Sequence, residues 1–236
     1  MLTIKNVIVF LILLLLLLLI FVQIFYWFEK LIKKIKINQA GAVGEQQVQS
    51  VLKKLNPKKY YILSNVLLKH PNNRTSQIDH IVISKKGIFV IETKNYAGIL
   101  FGNVKDTYWL HKSGKNEHLV YNIALQNSGH IKAMQYNLND LLLNLNKRKY
   151  IKVFVSIIAL RDDCVFKIKK PLFFKRTKFK ICNFKNLVKI IKKSRRRSII
   201  SKKLCKKLVA ELLNKNINSN KNLKAHIKQI NCVKKY

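Results

Sequence analysis

The chain has 236 residues, 47 of them Lys or Arg and 10 Asp or Glu, for a formal charge of +37. A field of that sign and size favours polyanions, either nucleic acid or anionic lipid headgroups. Cys164, Cys182, Cys205 and Cys232 are widely spaced and form no C-x-x-C pair, which argues against a zinc knuckle or a disulfide framework.

The first element, residues 7–28, is an apolar run broken only by Gln23 and containing an unbroken row of leucines. It is long enough to span a bilayer and exceeds the core of a signal peptide. The nearest small-x-small site, Ala40 and Ala42, lies beyond a basic stretch, and the uniform leucines disfavour a buried core helix. Tyr26 and Trp27 suit an interfacial anchor. Lys30, Lys33, Lys34 and Lys36 follow the run against Lys5 alone before it, which predicts a single-pass membrane protein with a cytoplasmic C-terminal domain.

A helix is expected over residues 41–55, where Val48, Val51, Leu52 and Leu55 recur at helical spacing. Glu45 precedes Val48 by three and so lies on the apolar face. Its carboxylate then needs a partner, or else it caps the helix N-terminus, where the dipole favours negative charge by about 0.3–1 kcal/mol. Spacing alone leaves both open.

A strand over 60–68 leads to the most informative stretch, Gln77-Ile78-Asp79-His80-Ile81-Val82-Ile83-Ser84, then Lys85-Lys86-Gly87, then Ile88-Phe89-Val90-Ile91-Glu92-Thr93-Lys94. Both arms are rich in β-branched and aromatic residues, and the glycine suits a short reversal, so a hairpin is expected. Glu92 and Lys94 are two apart and share a face in any register. With a two-residue turn Asp79 lies opposite Glu92 or Lys94, and the three groups converge; a three-residue turn would send Asp79 to the wrong face unless a bulge compensates. Asp79 and Glu92, with the Thr93 carbonyl, could hold a hard cation such as Mg²⁺ or Mn²⁺, and Lys94 could orient a water or offset charge on a phosphorane. The same spacing also fits a strand-start aspartate beside a solvated ion pair.

A strand pair follows at 99–104 and 108–111, then a helix over 123–143 with a core stripe of Ile131, Met134, Leu138 and Leu142. Gln126 and His130 flank its opening turn, where Gln126 could touch a phosphate or water, or simply face solvent. A strand at 151–160 is too apolar for a sheet edge, and amphipathic helices at 184–193 and 198–214 close the domain. The expected fold is α/β, a mixed sheet flanked by helices behind one transmembrane helix.

From Arg161 onward there are 25 basic and 3 acidic residues. Lys192, Lys193, Arg195, Arg196 and Arg197 form the densest cluster, suited to phosphate contacts that position nucleic acid without reading sequence. A compositional bias or anionic lipid headgroups are the other readings.

The segment Gly41-Ala42-Val43-Gly44-Glu45, the run Gln77 to His80, the stretch Gly87 to Tyr96 with Gly98 and Gly102, Trp109, and Asn122 to Asn127 closely resemble the nuclease-related domain family, NERD, a relative of the PD-(D/E)XK nucleases. The resemblance is clearest over residues 41–138. It implies that Glu45 is the family's helix glutamate, Asp79 its metal-binding aspartate, Glu92 and Lys94 its ExK pair, and Gln126 its following glutamine. One departure is Ile123, where relatives commonly have proline.

The resulting division is an anchor over 1–29, a basic linker over 30–39, a nuclease-like domain over 40–214 and a polar basic tail over 215–236. The expectation is a membrane-anchored, Mg²⁺- or Mn²⁺-dependent nuclease acting on DNA, for which cutting both strands would call for a homodimer. The competing expectation is a non-catalytic tether that binds nucleic acid or anionic lipid through its basic final third.

Overall fold

The computed structural model describes residues 4–72, 74–143, 145, 152–169, 179–194 and 197–217. It divides into two units, residues 1–43 and 44–236. In the first, helix α1 (Ile4–Leu52) exposes its large apolar side chains from Val7 to Phe28 on every side. A helix apolar all round needs an apolar surround, and α1 is the one described helix long and apolar enough to cross a membrane. The basic stretch expected as a linker, residues 30–39, is itself helical.

The second unit begins with the last turns of α1 and holds two sheets. Strands β1 (Tyr60–Lys69), β2 (Thr75–Ser84), β3 (Gly87–Lys94), β7 (Phe154–Leu160) and β9 (Phe179–Asn183) form a mixed five-stranded sheet in the order β1-β2-β3-β7-β9. β7 pairs in parallel with both β3 and β9, the interior position its apolar run predicts. Strands β4 (Gly98–Asn103), β5 (Tyr108–Ser113), β6 (Asn116–Tyr121) and β8 (Cys164–Lys169) form a second sheet, ordered β6-β5-β4-β8. Of these, β6 and β8 lie where no strand was expected.

Helices cover both faces of the five-stranded sheet. On one face α2 (Ile123–Leu142) and α4 (Lys202–Lys215) pack Met134, Leu138, Leu208 and Leu212 onto Ile78, Ile81, Ile83 and Val90. On the other, Val48 and Leu52 of α1 and Leu187 and Ile191 of α3 (Leu187–Lys193) meet Val82, Phe89 and Ile91. A 3-10 turn, Phe184–Asn186, precedes α3. Leu52 is fully buried, so truncation to alanine costs about 2–5 kcal/mol. Cys164, Cys182 and Cys205 are buried free thiols, and burial pushes Cys182 up to about 12. They are packing residues, and Cys232 lies outside the described residues.

Candidate functional site

The hairpin closes with a two-residue turn. Ser84 pairs with Gly87, leaving Lys85 and Lys86 as a two-residue turn, and Gly87 adopts φ 128°, a conformation glycine tolerates. This register, extended past its last pair at His80 and Ile91, sets Asp79 across from Glu92. The ladder stops there for a local reason. Ile78 and Ile81 are three apart on β2 yet pack into one cluster, as do Leu63 and Val66 on β1, so both strands turn over at the opposed Asn65 and Asp79. Asn65 takes φ 55° to allow it. Asp79 thereby leaves the regular face positions, and its Oδ2 accepts from the Thr93 N–H at 2.7 Å. In an extended strand the N–H and C=O of one residue face the same neighbour, so the Thr93 carbonyl also looks toward Asp79.

Glu92 is 1% exposed and held from three sides. Its Oε1 accepts from Lys94 Nζ at 2.6 Å and from Gln126 Nε2 at 2.7 Å; its Oε2 lies 3.0 Å from His130 Nε2. The carboxylate can only accept, so Nε2 carries the proton, and in the neutral ring the Ser76 hydroxyl donates to Nδ1 at 2.6 Å. Gln126 is carried on the first turn of α2, which Asn122 caps by accepting from the N–H groups of Ala124 and Leu125. Ile123, which replaces the expected proline, is fully buried against Trp109 and leaves that cap intact. Asn127 donates to the carbonyls of Val90 and Ile157, tying α2 to β3 and β7.

Glu45 lies on the last turns of α1, half-buried, one residue after Gly44. A Cβ on Gly44 would stand 2.7 Å from Asn95 Cβ, so only glycine lets the helix approach the end of β3 this closely. Because α1 begins at Ile4, the N-terminal cap reading for Glu45 falls away.

The electrostatics follow from crowding. Burial, then the Glu92 charge, raise Glu45 against the pull of Lys94. Asp79 is raised well above the usual carboxylate range by burial and Glu92, opposed by Lys94 and the Thr93 N–H, with Glu45 adding to the rise. Burial alone would raise Glu92 too, but Lys94 and His130 overcome it and hold Glu92 low. Burial alone would lower Lys94; Glu92, Tyr96 and Asp79 reverse that and keep it protonated. Three of the chain's ten acidic residues therefore meet in one place, two of them short of positive charge.

That donor set fits a hard divalent cation, which takes one or two carboxylates, a carbonyl and waters. Lys94 Nζ already occupies the counter-ion's place beside Glu92. Among the described residues no group of three or more His, Cys, Asp or Glu side chains forms a ready-made metal cage. Asp79, Glu92 and the Thr93 carbonyl are the groups that could hold the ion.

Glu45, Asp79, Glu92, Thr93, Lys94 and Gln126 are thus brought to one end of the hairpin. Of the basic cluster, Lys192, Lys193 and Arg197 are not. Lys86 Nζ, in the turn, donates to the Lys192 carbonyl, and the Lys85 carbonyl accepts from the Ile199 and Ile200 N–H groups. Lys192, Lys193 and Arg197 are exposed there, while Arg195 and Arg196 lie outside the described residues. Five residues of strand separate Gly87 from Glu92, about 17 Å. Sequence reasoning placed His130 beside Gln126 but missed its contact with Glu92, and it missed Ser76 altogether. The signal for His130 was its i, i+4 spacing from Gln126, which puts both on one helix face.

A family model described as the nuclease-related domain matches residues 40–158, half of the chain. An uncharacterized protein of Bacillus anthracis is 41% identical over 106 residues, covering 45% of this chain and 50% of that protein. The match spans only half of that relative's length. No solved structure matches.

Proposed function

The chain belongs to the nuclease-related domain family, and on that premise we propose that it is a membrane-anchored, metal-dependent nuclease that hydrolyses phosphodiester bonds of DNA. The observation that carries the reading is the meeting of Glu45, Asp79 and Glu92 around Lys94 in a chain of charge +37, with Glu45 and Asp79 raised by burial and by the Glu92 charge. Carboxylates are scarce here, and crowding them is costly unless a cation is to be bound.

In this reading Asp79 and Glu92, with the Thr93 carbonyl, hold Mg²⁺ or Mn²⁺. The ion supplies Lewis acidity toward a water and a phosphoryl oxygen. Glu92 is kept ionised by Lys94 and oriented by Gln126 and His130. Lys94, 22% exposed at its side chain, keeps its proton and can turn from Glu92 toward a phosphate, offsetting charge as it builds. Asp79 is fixed by the Thr93 N–H. Glu45, raised but half-buried, can accept a proton from a water at the site. Lys30, Lys33, Lys34 and Lys36 after the apolar run, against Lys5 before it, support a cytoplasmic side for the domain.

One observation favours a second reading. Glu92 is fully engaged by Lys94, Gln126 and His130, the arrangement of a structural ion-pair cluster, and a non-catalytic tether would need no more than that. The two separate in one assay: full-length protein in detergent, labelled single- and double-stranded DNA and RNA, and Mg²⁺, Mn²⁺ or EDTA. The nuclease reading expects metal-dependent cutting that Asp79→Ala and Lys94→Ala abolish. Binding without cutting under every metal condition would decide for the tether.

A further inference from the structure

We propose that the outer face of the second sheet is a platform for single-stranded nucleic acid leading toward the carboxylate site; only that destination rests on the nuclease reading. The register sets Tyr108 opposite Tyr121, Leu110 opposite Leu119, Phe101 opposite both Leu110 and Lys167, and Asn103 opposite Lys169. Directly opposed residues share a face. The alternate residues, Leu100, Trp109 and Cys164, turn inward to the core. The outer row stays open: Tyr108 is 55% exposed, Tyr121 50% and Leu119 68%.

The chemistry of this face selects its occupant. Tyr108 and Tyr121 meet edge to face at 6.1 Å between centroids, and Lys167 Nζ stands 5.7 Å from the centre of the Phe101 ring. Lys167 and Lys169 are exposed. The nearby acids are already engaged, Glu117 by Lys112 Nζ and Asp106 by the Asn103 N–H. The face therefore offers aromatic rings on β4, β5 and β6 beside lysines on β8. Unpaired bases stack on such rings while their phosphates meet the lysines; a duplex hides its base faces. The core of a protein interface is depleted in lysine, which disfavours a protein partner between these rows.

Position completes the argument. β4 begins at Gly98, four residues after Lys94, and the Lys94 carbonyl accepts from the Arg161 N–H just before β8. One end of the platform thus adjoins the carboxylates. Tyr108, Tyr121 and Lys169 lie at the other end, about 17 Å along the strands.

The test uses the full-length protein in detergent with EDTA, so that nothing is cut, and reads the anisotropy of a fluorescein-labelled oligo-dT and of a duplex of equal length. Tyr108→Ala with Tyr121→Ala should weaken oligo-dT binding about tenfold or more and leave the duplex nearly unchanged. Tyr108→Phe with Tyr121→Phe should keep the affinity, because stacking needs the ring and not the hydroxyl. Lys167→Ala should lower the salt slope for oligo-dT by about 0.7. Unchanged oligo-dT affinity in the double alanine variant, with its melting temperature retained, overturns the proposal. So does an equal loss for duplex, or a sedimentation shift from dimer to monomer at constant oligo-dT affinity, which would make the face a self-association surface. Cleavage is read separately: a wild type that never cuts but loses oligo-dT with its tyrosines would sink the nuclease reading and leave the platform standing.

Discussion

The two ends of the β2–β3 hairpin carry opposite charge by opposite means. At the turn, Lys86 donates to the Lys192 carbonyl, while Lys85, Lys192, Lys193 and Arg197 are exposed and solvent screens their charges. At the open end, Glu45, Asp79 and Glu92 are partly or fully buried; Asp79 and Glu92 are bound to named partners, and the charge of Glu92 helps burial raise the other two. The contrast teaches that abundance and influence are separate: a few buried carboxylates set the chemistry of the site, whereas many lysines set only its surroundings.

The most severe break of that contrast is Glu92→Gln. It leaves Lys94 without its partner and presents an amide N–H to the donors Gln126 and His130, so metal-dependent cleavage should fall by about 10²–10³-fold. Stability should fall by about 3 kcal/mol in urea melts at pH 7. Because Glu92 is held low in the folded chain, its contribution is present above the unfolded value near 4.5 and is lost as pH falls through the folded one. Unaltered melting would show that the buried pair carries no weight.

Asp79→Asn should act in the opposite direction on stability. Asp79 is raised on folding, so its ionised form disfavours the folded state increasingly as pH climbs above the unfolded value. Asparagine keeps an oxygen for the Thr93 N–H and removes the charge, so stability at pH 7–8 should rise by about 1 kcal/mol while cleavage is lost. Mg²⁺ should raise the melting temperature of the wild type and not of this variant. A variant that melts lower than wild type at pH 8 would refute the crowding argument.

Substituting Lys192, Lys193 and Arg197 together by Gln should do least. Affinity for nucleic acid and its salt slope should drop, the slope by roughly two to three, with the cleavage rate at saturating substrate intact. Loss of that rate would bring the turn end into the chemistry and dissolve the distinction between the two ends.

Much of the site was readable before folding because it rests on short-range rules. The period of two puts Glu92 and Lys94 on one face, and two residues between Ser84 and Gly87 set the register that brings Asp79 level with Glu92. What escaped was long-range. The turnover at Asn65 and Asp79 depends on two strands shifting phase together, and β6 and β8 depend on a second sheet whose pairings cross more than fifty residues between β4 and β8.

Residue order and periodicity by themselves determined the apolar membrane-length helix, the mixed α/β fold and the family, along with which side chains could meet at the hairpin. Tertiary structure alone decided that Asp79 would take the Thr93 N–H, that His130, itself engaged by Ser76, would hold Glu92, and that Lys192 would meet the turn at the far end of the hairpin. Local spacing is a property of the backbone, legible from any short stretch. The shift of a carboxylate, by contrast, depends on burial and on charges that the chain brings near only once it is folded.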